Sequence, residues 1–316
     1  MGISESEVLT SLRVLVCVAK ADGVLHVDER MALASALESV PLPGGVTLDA
    51  LLGESHDLDD LLAQLDSREA RAEIYKSAYS IANADGKCSP EEQAVLDRVR
   101  EYLSLTSEDT TAIQRLFHDS GEGALMSAKK AIHDPVQRDA AIGKETLKCA
   151  VVSAVLGAFP VPGLAIATDL TVVGLQVTLV RDIGQLWGQT IDRQDAKKLL
   201  YGLGLGTGAR LAVNNLAKLL PGWGSVIGAA TSFASTYALG GVMNKFFSSA
   251  EGADIAALKS EFKAAEKEGK KVYKETKAEI DAKAAAARAK LDALNAELES
   301  GALTQAEYER RAADSV

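Results

Sequence analysis

The chain has 316 residues, a formal net charge of −10, and a composition in which 47% of residues are hydrophobic but only 5% aromatic. So few aromatic residues, together with 26 glycines, disfavour a β-sandwich and favour closely packed helices. The sequence has no basic stripe interleaved with aromatic residues, which disfavours nucleic-acid binding, and no recognisable secretory signal pattern. The three cysteines are scattered outside any CxxC pair and indicate a reduced, cytoplasmic setting.

The N-terminal region, residues 1–117, is predicted to be an acidic all-α domain. It holds 10 Lys and Arg against 21 Asp and Glu, for a net charge of −11. An acidic domain of this kind attracts cations or basic partners. Apolar residues at helical spacing predict a first helix over 5–21, at Val8, Leu12, Leu15 and Val18. Further helices are expected over about 28–40, 57–66 and 68–83, and from 90 onward.

Two similar turns connect helices in this domain. The stretch "AKADGVLHVDER" at 19–30 returns as "ANADGKCSPEEQ" at 82–93, so the two Asp-Gly pairs lie 63 residues apart. This spacing indicates an internal duplication of helix, turn and helix. Gly23 and Gly86 are expected to adopt the left-handed backbone conformation that ends a helix.

The acidic residues of the two turns allow three interpretations. As a calcium loop, each copy supplies only two carboxylates, which is too few for an EF-hand. As helix caps, Glu29 and Glu92 accept hydrogen bonds from backbone N–H groups at the start of the next helix, for which "SPEE" is a strong sequence. As a pooled site, Asp22, Glu29, Asp85 and Glu92 share one divalent cation: calcium, magnesium or manganese. The capping and the pooled-cation interpretations both stay open.

The paired Asp-Gly motifs with their distal Glu residues resemble the two signature turns of the TerB-like domains, helical modules named from tellurite-resistance clusters. The resemblance covers roughly residues 5–117. It implies an all-helical fold and a metal-ion site at the acidic residues of the turns. It implies no known reaction, and no catalytic motif is present elsewhere, so we expect a protein that is not an enzyme.

Residues 118–145 are predicted to be a helical linker, and residues 146–248 an apolar domain with 8 Lys and Arg against 4 Asp and Glu, a net charge of +4. Pro-Gly breaks divide its apolar helices at "FPVPGL" and "LLPGWG". Small residues at i, i+4 spacing predict a smooth ridge against which another helix packs closely. The ridge residues are Gly224, Gly228, Ser232, Thr236 and Gly240.

An apolar, mildly basic domain suits an anionic membrane surface. The stretch 222–244 has 23 uncharged residues, which is long enough to span a bilayer, and Trp187, Trp223 and Lys245 are candidate interface anchors. Asp169 interrupts the other apolar run and is expected near the headgroups, in a bond between helices, or in a helix that only dips into the bilayer. Whether the domain spans, dips into or avoids the bilayer stays open at this point, because buried Gly- and Ala-rich helices of a soluble bundle have a similar sequence.

The same domain is similar to the YcjF-type domain of unknown function, through "PVPGLAIATDLTVVGLQVTLVRDIGQLWG" and "LLPGWGSVIGAATSFASTYALGGVMNKFF". That domain occurs in bacterial inner-membrane proteins, often beside or fused to small GTPases, so the resemblance implies a protein of this kind. The chain has no GxxxxGK[ST] phosphate loop, so any GTPase is a partner in trans.

Residues 249–316 form a charged tail, predicted to be a coiled coil or a long helix that docks one face. Its end, "LNAELESGALTQAEYERR", resembles the short oligomerisation module called SHOCT, and Thr304 with Glu307 is a capping box. We therefore expect a homo-oligomeric, membrane-associated scaffold or sensor, on the cytoplasmic side of the inner membrane or in the cytoplasm. Metal or envelope stress is the expected setting, anionic lipid the expected partner, and a soluble self-assembling particle or filament the alternative.

Overall fold

The structure is a computed structural model of the full chain. It describes residues 4–21, 23, 30, 33–34, 37, 46–65, 68–83, 88–119, 129–158, 165–205, 224–249 and 255–316. Every secondary-structure element in these residues is an α-helix, which confirms the all-α prediction. The chain divides into two compact units, one of which contains Met1–Phe117 and the other His118–Phe159, Ala167–Leu205 and Ser225–Val316.

The N-terminal unit is built around its first helix. Its described helices are α1 Glu5–Ala19, α2 Leu48–Gly53, α3 Leu58–Leu62, α4 Arg68–Ala82, α5 Pro90–Tyr102 and α6 Ser107–Asp119. A capping box begins α1, since Ser4 Oγ accepts from Glu7 N at 3.2 Å and the Glu7 carboxylate accepts from Ser4 N at 3.1 Å. The four apolar positions predicted for α1 are at most 2% exposed, so its helical periodicity is confirmed. Helices α2 to α5 pack around it.

The C-terminal unit is a second bundle with its own core. Its described helices are α7 Pro135–Gly157, α8 Ala165–Leu186, α9 Arg193–Gly202, α10 Gly224–Ser248, α11 Ile255–Glu299 and α12 Gln305–Asp314. Helix α7 runs through residue 145 without a break, so the predicted boundary between linker and apolar domain falls inside a helix. Ahead of it, Ile132 N donates to Leu186 O at 3.0 Å and joins this segment to the end of α8.

The charged tail belongs to this same unit. Helix α11 has 45 residues, a length of about 67 Å at 1.5 Å per residue. It buries one side, which includes Leu258, Phe262, Ile280 and Leu291. Of the two structures predicted for the tail, this is the long helix that docks one face. Gly269 lies so close to α10 that an added Cβ would be 2.9 Å from Ala234 Cα.

The last helix, α12, folds back onto the unit. Gln305 Nε2 donates to Ala167 O at 3.0 Å and to Thr171 Oγ1 at 3.3 Å, both in α8. Tyr308 is 2% exposed, and its hydroxyl donates to Asn295 Oδ1 at 2.7 Å. Burial raises the pKa of Tyr308 to about 12. The C-terminal segment that resembles a SHOCT module therefore packs on its own chain through α12.

Candidate functional site

The second Asp-Gly turn leads into a well-formed helix start. Ser89 Oγ accepts from Glu92 N at 3.1 Å, while the Glu92 carboxylate accepts from Ser89 N at 2.8 Å. Pro90 follows at the first helical position, where its missing N–H costs nothing. The capping role predicted for Glu92 is confirmed. Asp85 and Gly86 lie outside the described residues.

The first turn is described at its glycine. Gly23 has a φ of +89°, and its N–H donates to Lys20 O at 2.8 Å just after α1 ends. This confirms the left-handed backbone conformation expected there, which a residue with a Cβ adopts only at a cost. Asp22 and Glu29, the acidic residues of this turn, lie outside the described residues.

The pooled cation site therefore stays a prediction. Of its four residues only Glu92 is described, and its carboxylate is engaged at the start of α5. Within the described ranges, no group of three or more His, Cys, Asp or Glu is arranged to hold a metal ion.

A cleft of about 510 Å³ lies beside the first Asp-Gly turn. One wall is a stripe of α1 and its C-terminal cap, formed by Arg13, Val16, Cys17 and Lys20. These positions follow i, i+3, i+4 and i+7 spacing, which places their side chains on one helix face. Gly23 also lines the cleft, so the cleft reaches the glycine of the first Asp-Gly turn.

The other walls come from the connection between α2 and α3 and from α5. Leu51, Glu54, Ser55, His56 and Leu58 line the first of these walls. Ala94, Val95 and Arg98 line the second, and Ala94 is exposed at its outer side. The cleft thus combines apolar walls with several charged groups.

Glu54 organises the charged part of the cleft. Its Oε2 accepts from Arg13 Nε at 2.7 Å and contacts His56 Nε2 at 2.7 Å, while Oε1 accepts from Arg13 Nη2 at 3.3 Å. The hydrogen bonds from Arg13 and then from His56 lower the pKa of Glu54 to about 2. Glu54 is therefore a fixed anion near neutral pH, and the guanidinium of Arg13 is held in one orientation.

The two remaining basic groups are also held. Lys20 Nζ donates to Leu52 O at 2.8 Å and to Glu54 O at 3.1 Å, which ties the end of α1 to the end of α2. Arg98 Nε donates to Asp59 Oδ1 at 2.8 Å, and this bond lowers the pKa of Asp59. Burial raises the pKa of the Cys17 thiol, so the thiol stays protonated near neutral pH.

In the C-terminal unit, the predicted ridge of α10 packs against α7. A Cβ on Gly157 would lie 2.7 Å from Gly228 O and 2.8 Å from Ser232 Oγ. Farther along, Thr236 Oγ1 donates to Ser153 Oγ at 3.2 Å, and a Cβ on Gly240 would lie 2.0 Å from Thr146 Oγ1. Because numbers rise along one helix as they fall along the other, the two helices are antiparallel. The ridge supplies the close helix contact that its spacing predicted.

The candidate membrane residues of this unit are engaged within the protein. Trp187 Nε1 donates to Asn244 Oδ1 at 2.8 Å, and the guanidinium carbon of Arg138 lies 3.4 Å from the ring centroid. Lys245 forms an ion pair with Glu261 of α11. Asp169 is 7% exposed, and its role stays a prediction, whereas Trp223 lies outside the described residues.

Across the part of the chain that the structure describes, no helix combines the length and the apolar character that crossing a membrane requires.

Comparison with protein families identifies the N-terminal unit. A family model with the description "Tellurite resistance protein TerB" matches residues 8–115. Comparisons with curated proteins and with solved structures each found no match. The YcjF-type and SHOCT resemblances therefore stay predictions. The N-terminal unit, which carries both Asp-Gly turns and the cleft, is a TerB-like domain.

Proposed function

We propose that the protein is a non-enzymatic sensor or scaffold whose TerB-like unit binds a small ligand in the cleft beside the first Asp-Gly turn. The observation that carries this proposal is the preorganised rim of the cleft. Arg13 and Lys20 of the first helix and its cap are held by contacts with the segment 52–56, within which His56 contacts Glu54. Fixed polar groups on a partly apolar, concave surface are typical of small-molecule sites, and preorganisation lowers the entropy that binding costs.

The use of the polar groups favours binding over catalysis. A nucleophilic cysteine needs a lowered pKa, whereas burial raises the pKa of Cys17. A general base needs a pKa near the working pH, whereas the pKa of Glu54 is about 2. Neither Cys17 nor Glu54 therefore has the pKa of a catalytic group, which favours a binding role for the cleft.

Hydrogen exchange of the full chain tests this proposal. We expect at least one pool of small metabolites to slow amide exchange in peptides that cover 13–23 and 51–58. The matched variant is Ala94→Trp, because Ala94 is exposed at the edge of the cleft and a large side chain there occludes it. Protection in the wild type alone supports the proposal. Protection by no pool, or equal protection in the occluded variant, contradicts it.

A cation at the acidic turns is the second part of the proposed sensor. Support comes from the duplicated motif itself, which places Asp22, Glu29, Asp85 and Glu92 at equivalent positions of two helix corners. The carboxylate of Glu92 caps α5, and a carboxylate has lone pairs to cap a helix and bind a cation together.

Calorimetry with calcium, magnesium and manganese tests the cation. We expect Asp22→Ala and Asp85→Ala each to weaken binding, because the site pools ligands from both turns. Glu101→Ala is the control, since its side chain is 76% exposed on the same unit and removes the same charge. The pooled site is wrong if the two Asp variants bind as the wild type does.

Association with the inner membrane surface is the remaining part of the proposal. Residues 146–248 carry a net charge of +4, and the segments 159–164 and 206–223 have largely apolar sequences with Pro-Gly steps. Apolar segments within a basic region suit a surface of anionic lipid.

Liposome flotation separates this proposal from the self-assembling alternative. We expect the full chain to float with vesicles rich in phosphatidylglycerol, to remain below with phosphatidylcholine alone, and to bind less at high salt. Lys218→Gln should weaken flotation, whereas Lys198→Gln, at an exposed residue paired with Asp195, should not. A protein that never floats, yet elutes as a large oligomer without detergent, favours a homo-oligomeric particle or filament. A GTPase partner in trans is tested by adding candidate GTPases to the floated protein and measuring co-flotation.

A further inference from the structure

The hydrogen-bonding groups of the cleft are unequally used. Glu54, its only carboxylate among the lining residues described, already accepts from Arg13 through both oxygens and contacts His56. Lys20 has three N–H donors, of which the carbonyls of Leu52 and Glu54 take two. Arg13 uses Nε and one terminal nitrogen on Glu54, which leaves its other terminal nitrogen as a donor. The hydrogen-bonding groups that remain available in the cleft are therefore mainly the N–H donors of Lys20 and Arg13.

Charge points in the same direction. Among the described lining residues, Arg13, Lys20 and Arg98 are cations, against the single carboxylate of Glu54. Arg98 is compensated by Asp59 and Arg13 by the Glu54 carboxylate, which leaves Lys20, held by two backbone carbonyls, as the uncompensated cation of the cleft. Arg13 and Lys20 both contact Glu54, so the donor that remains on Arg13 and this cation belong to side chains that meet at the same residue.

The remaining walls are apolar. Val16, Leu51, Leu58 and Val95 are apolar residues that line the cleft. A volume of about 510 Å³ lies within the range of known small-molecule sites, roughly 300–1,000 Å³. A bare inorganic ion would leave most of this space and these walls unused.

We infer that the cleft binds a small organic anion, a carboxylate or phosphate monoester on a short apolar body. Lys20 and Arg13 receive the anionic group, and the side chains between α1 and α5 receive the apolar body. This inference rests on the proposed ligand-binding function and adds the chemical class of the ligand.

A series of four-carbon probes tests the charge of the ligand directly. Butyl phosphate and butanoate carry the anion on an apolar body, butylammonium reverses the charge, and butanol removes it. Inorganic phosphate carries the anion without the body. We expect butyl phosphate or butanoate to bind the full-length protein in ligand-observed NMR titrations, inorganic phosphate to bind more weakly, and butylammonium and butanol not to bind. Which of the two anions binds more tightly distinguishes a phosphate site from a carboxylate site.

Three variants locate the binding. Lys20→Met removes a charge-assisted donor and should lower the affinity for the anionic probes by roughly 10-fold to 100-fold. Ala94→Trp occludes the cleft and should abolish binding, which keeps the test decisive if Lys20→Met is poorly folded. Arg100→Gln is the control, because it removes one positive charge from the same unit outside the cleft. Loss of affinity in the first two variants alone supports the inference.

The outcomes separate this inference from the function on which it rests. If butylammonium or butanol binds, and Ala94→Trp abolishes that binding while the anions do not bind, the ligand class is wrong and the cleft is still a ligand site. If the anions bind equally well to Lys20→Met, Arg100→Gln and Ala94→Trp, they bind elsewhere and the inference is overturned. If no probe and no metabolite pool binds, both proposals fail together.

Discussion

Gly240 and Gly241 are neighbours in α10 that should respond in opposite ways to the same substitution. A Cβ on Gly240 would lie 2.0 Å from Thr146 Oγ1 and 2.3 Å from Thr146 Cγ2, whereas a Cβ on Gly241 meets nothing within 4 Å. Thr146 is buried and β-branched, so its side chain has little room to move. Replacement by alanine at either position gains about 1 kcal/mol of helix propensity. Only Gly240→Ala must also push α10 away from α7, at a cost of about 1–3 kcal/mol or more.

We therefore expect Gly241→Ala to stabilise the C-terminal unit by up to about 1 kcal/mol, and Gly240→Ala to be less stable than Gly241→Ala by about 1–3 kcal/mol. Urea unfolding followed by fluorescence measures both. In a Trp223→Phe background Trp187 is the only tryptophan, and it lies in the C-terminal unit against Asn244 of α10. Equal stabilisation by the two alanines would refute the close packing of α7 on the ridge.

Three further predictions concern single contacts. Ser89→Ala should cost about 1 kcal/mol through loss of the α5 cap, as measured by urea unfolding followed by circular dichroism. The pKa of Glu54 is lowered from 4.5 to about 2, so the stability it contributes is present above pH 4.5 and is lost as pH falls toward 2. Glu54→Gln should therefore reduce the fall in the free energy of unfolding between about pH 4.5 and pH 2, which is the acid limb of the stability–pH curve. Tyr308→Phe should destabilise the C-terminal unit by about 1–3 kcal/mol, because buried Asn295 loses its donor.

Each of these has a control in the same helix or unit. Glu91→Gln lies beside the cap but takes no part in it, so stability should change little. Asp49→Asn removes a carboxylate that is 90% exposed in the same unit and is the matched charge control for Glu54→Gln. Arg310→Ala alters an exposed residue of α12. If a control variant shifts stability as much as its partner does, the contact named for that partner is not the cause.

Local structure was predictable wherever the sequence carries a local signal. The period of α1, the capping box of Ser89 and Glu92 and the left-handed Gly23 all depend on residues within one or two turns of each other. The ridge of α10 was predictable for the same reason, because small residues at i, i+4 spacing lie on one face whatever the partner helix is.

The cleft could not be predicted in this way, because it depends on tertiary packing. Arg13 and Glu54 are 41 residues apart in sequence, and nothing local pairs them. A partial signal existed in the stripe of Arg13, Val16, Cys17 and Lys20, since Arg13 lies within the largely buried helix α1 and Lys20 caps it one turn after Val16. The docking of α12 was beyond reach for a related reason, since a capping box marks where a helix begins but not whether it packs on its own chain.

The central claim is that the cleft of the TerB-like unit binds a small organic anion, and methyl NMR tests it most directly. In the valine-labelled full chain, butyl phosphate or butanoate should shift the methyl signals of Val16 and Val95, which line the cleft. The signals of Val99, buried in the core of the same unit, and of Val242, in the core of the other, should not move. Shifts at Val242 without shifts at Val16 and Val95, or no shifts at any valine, would contradict the account.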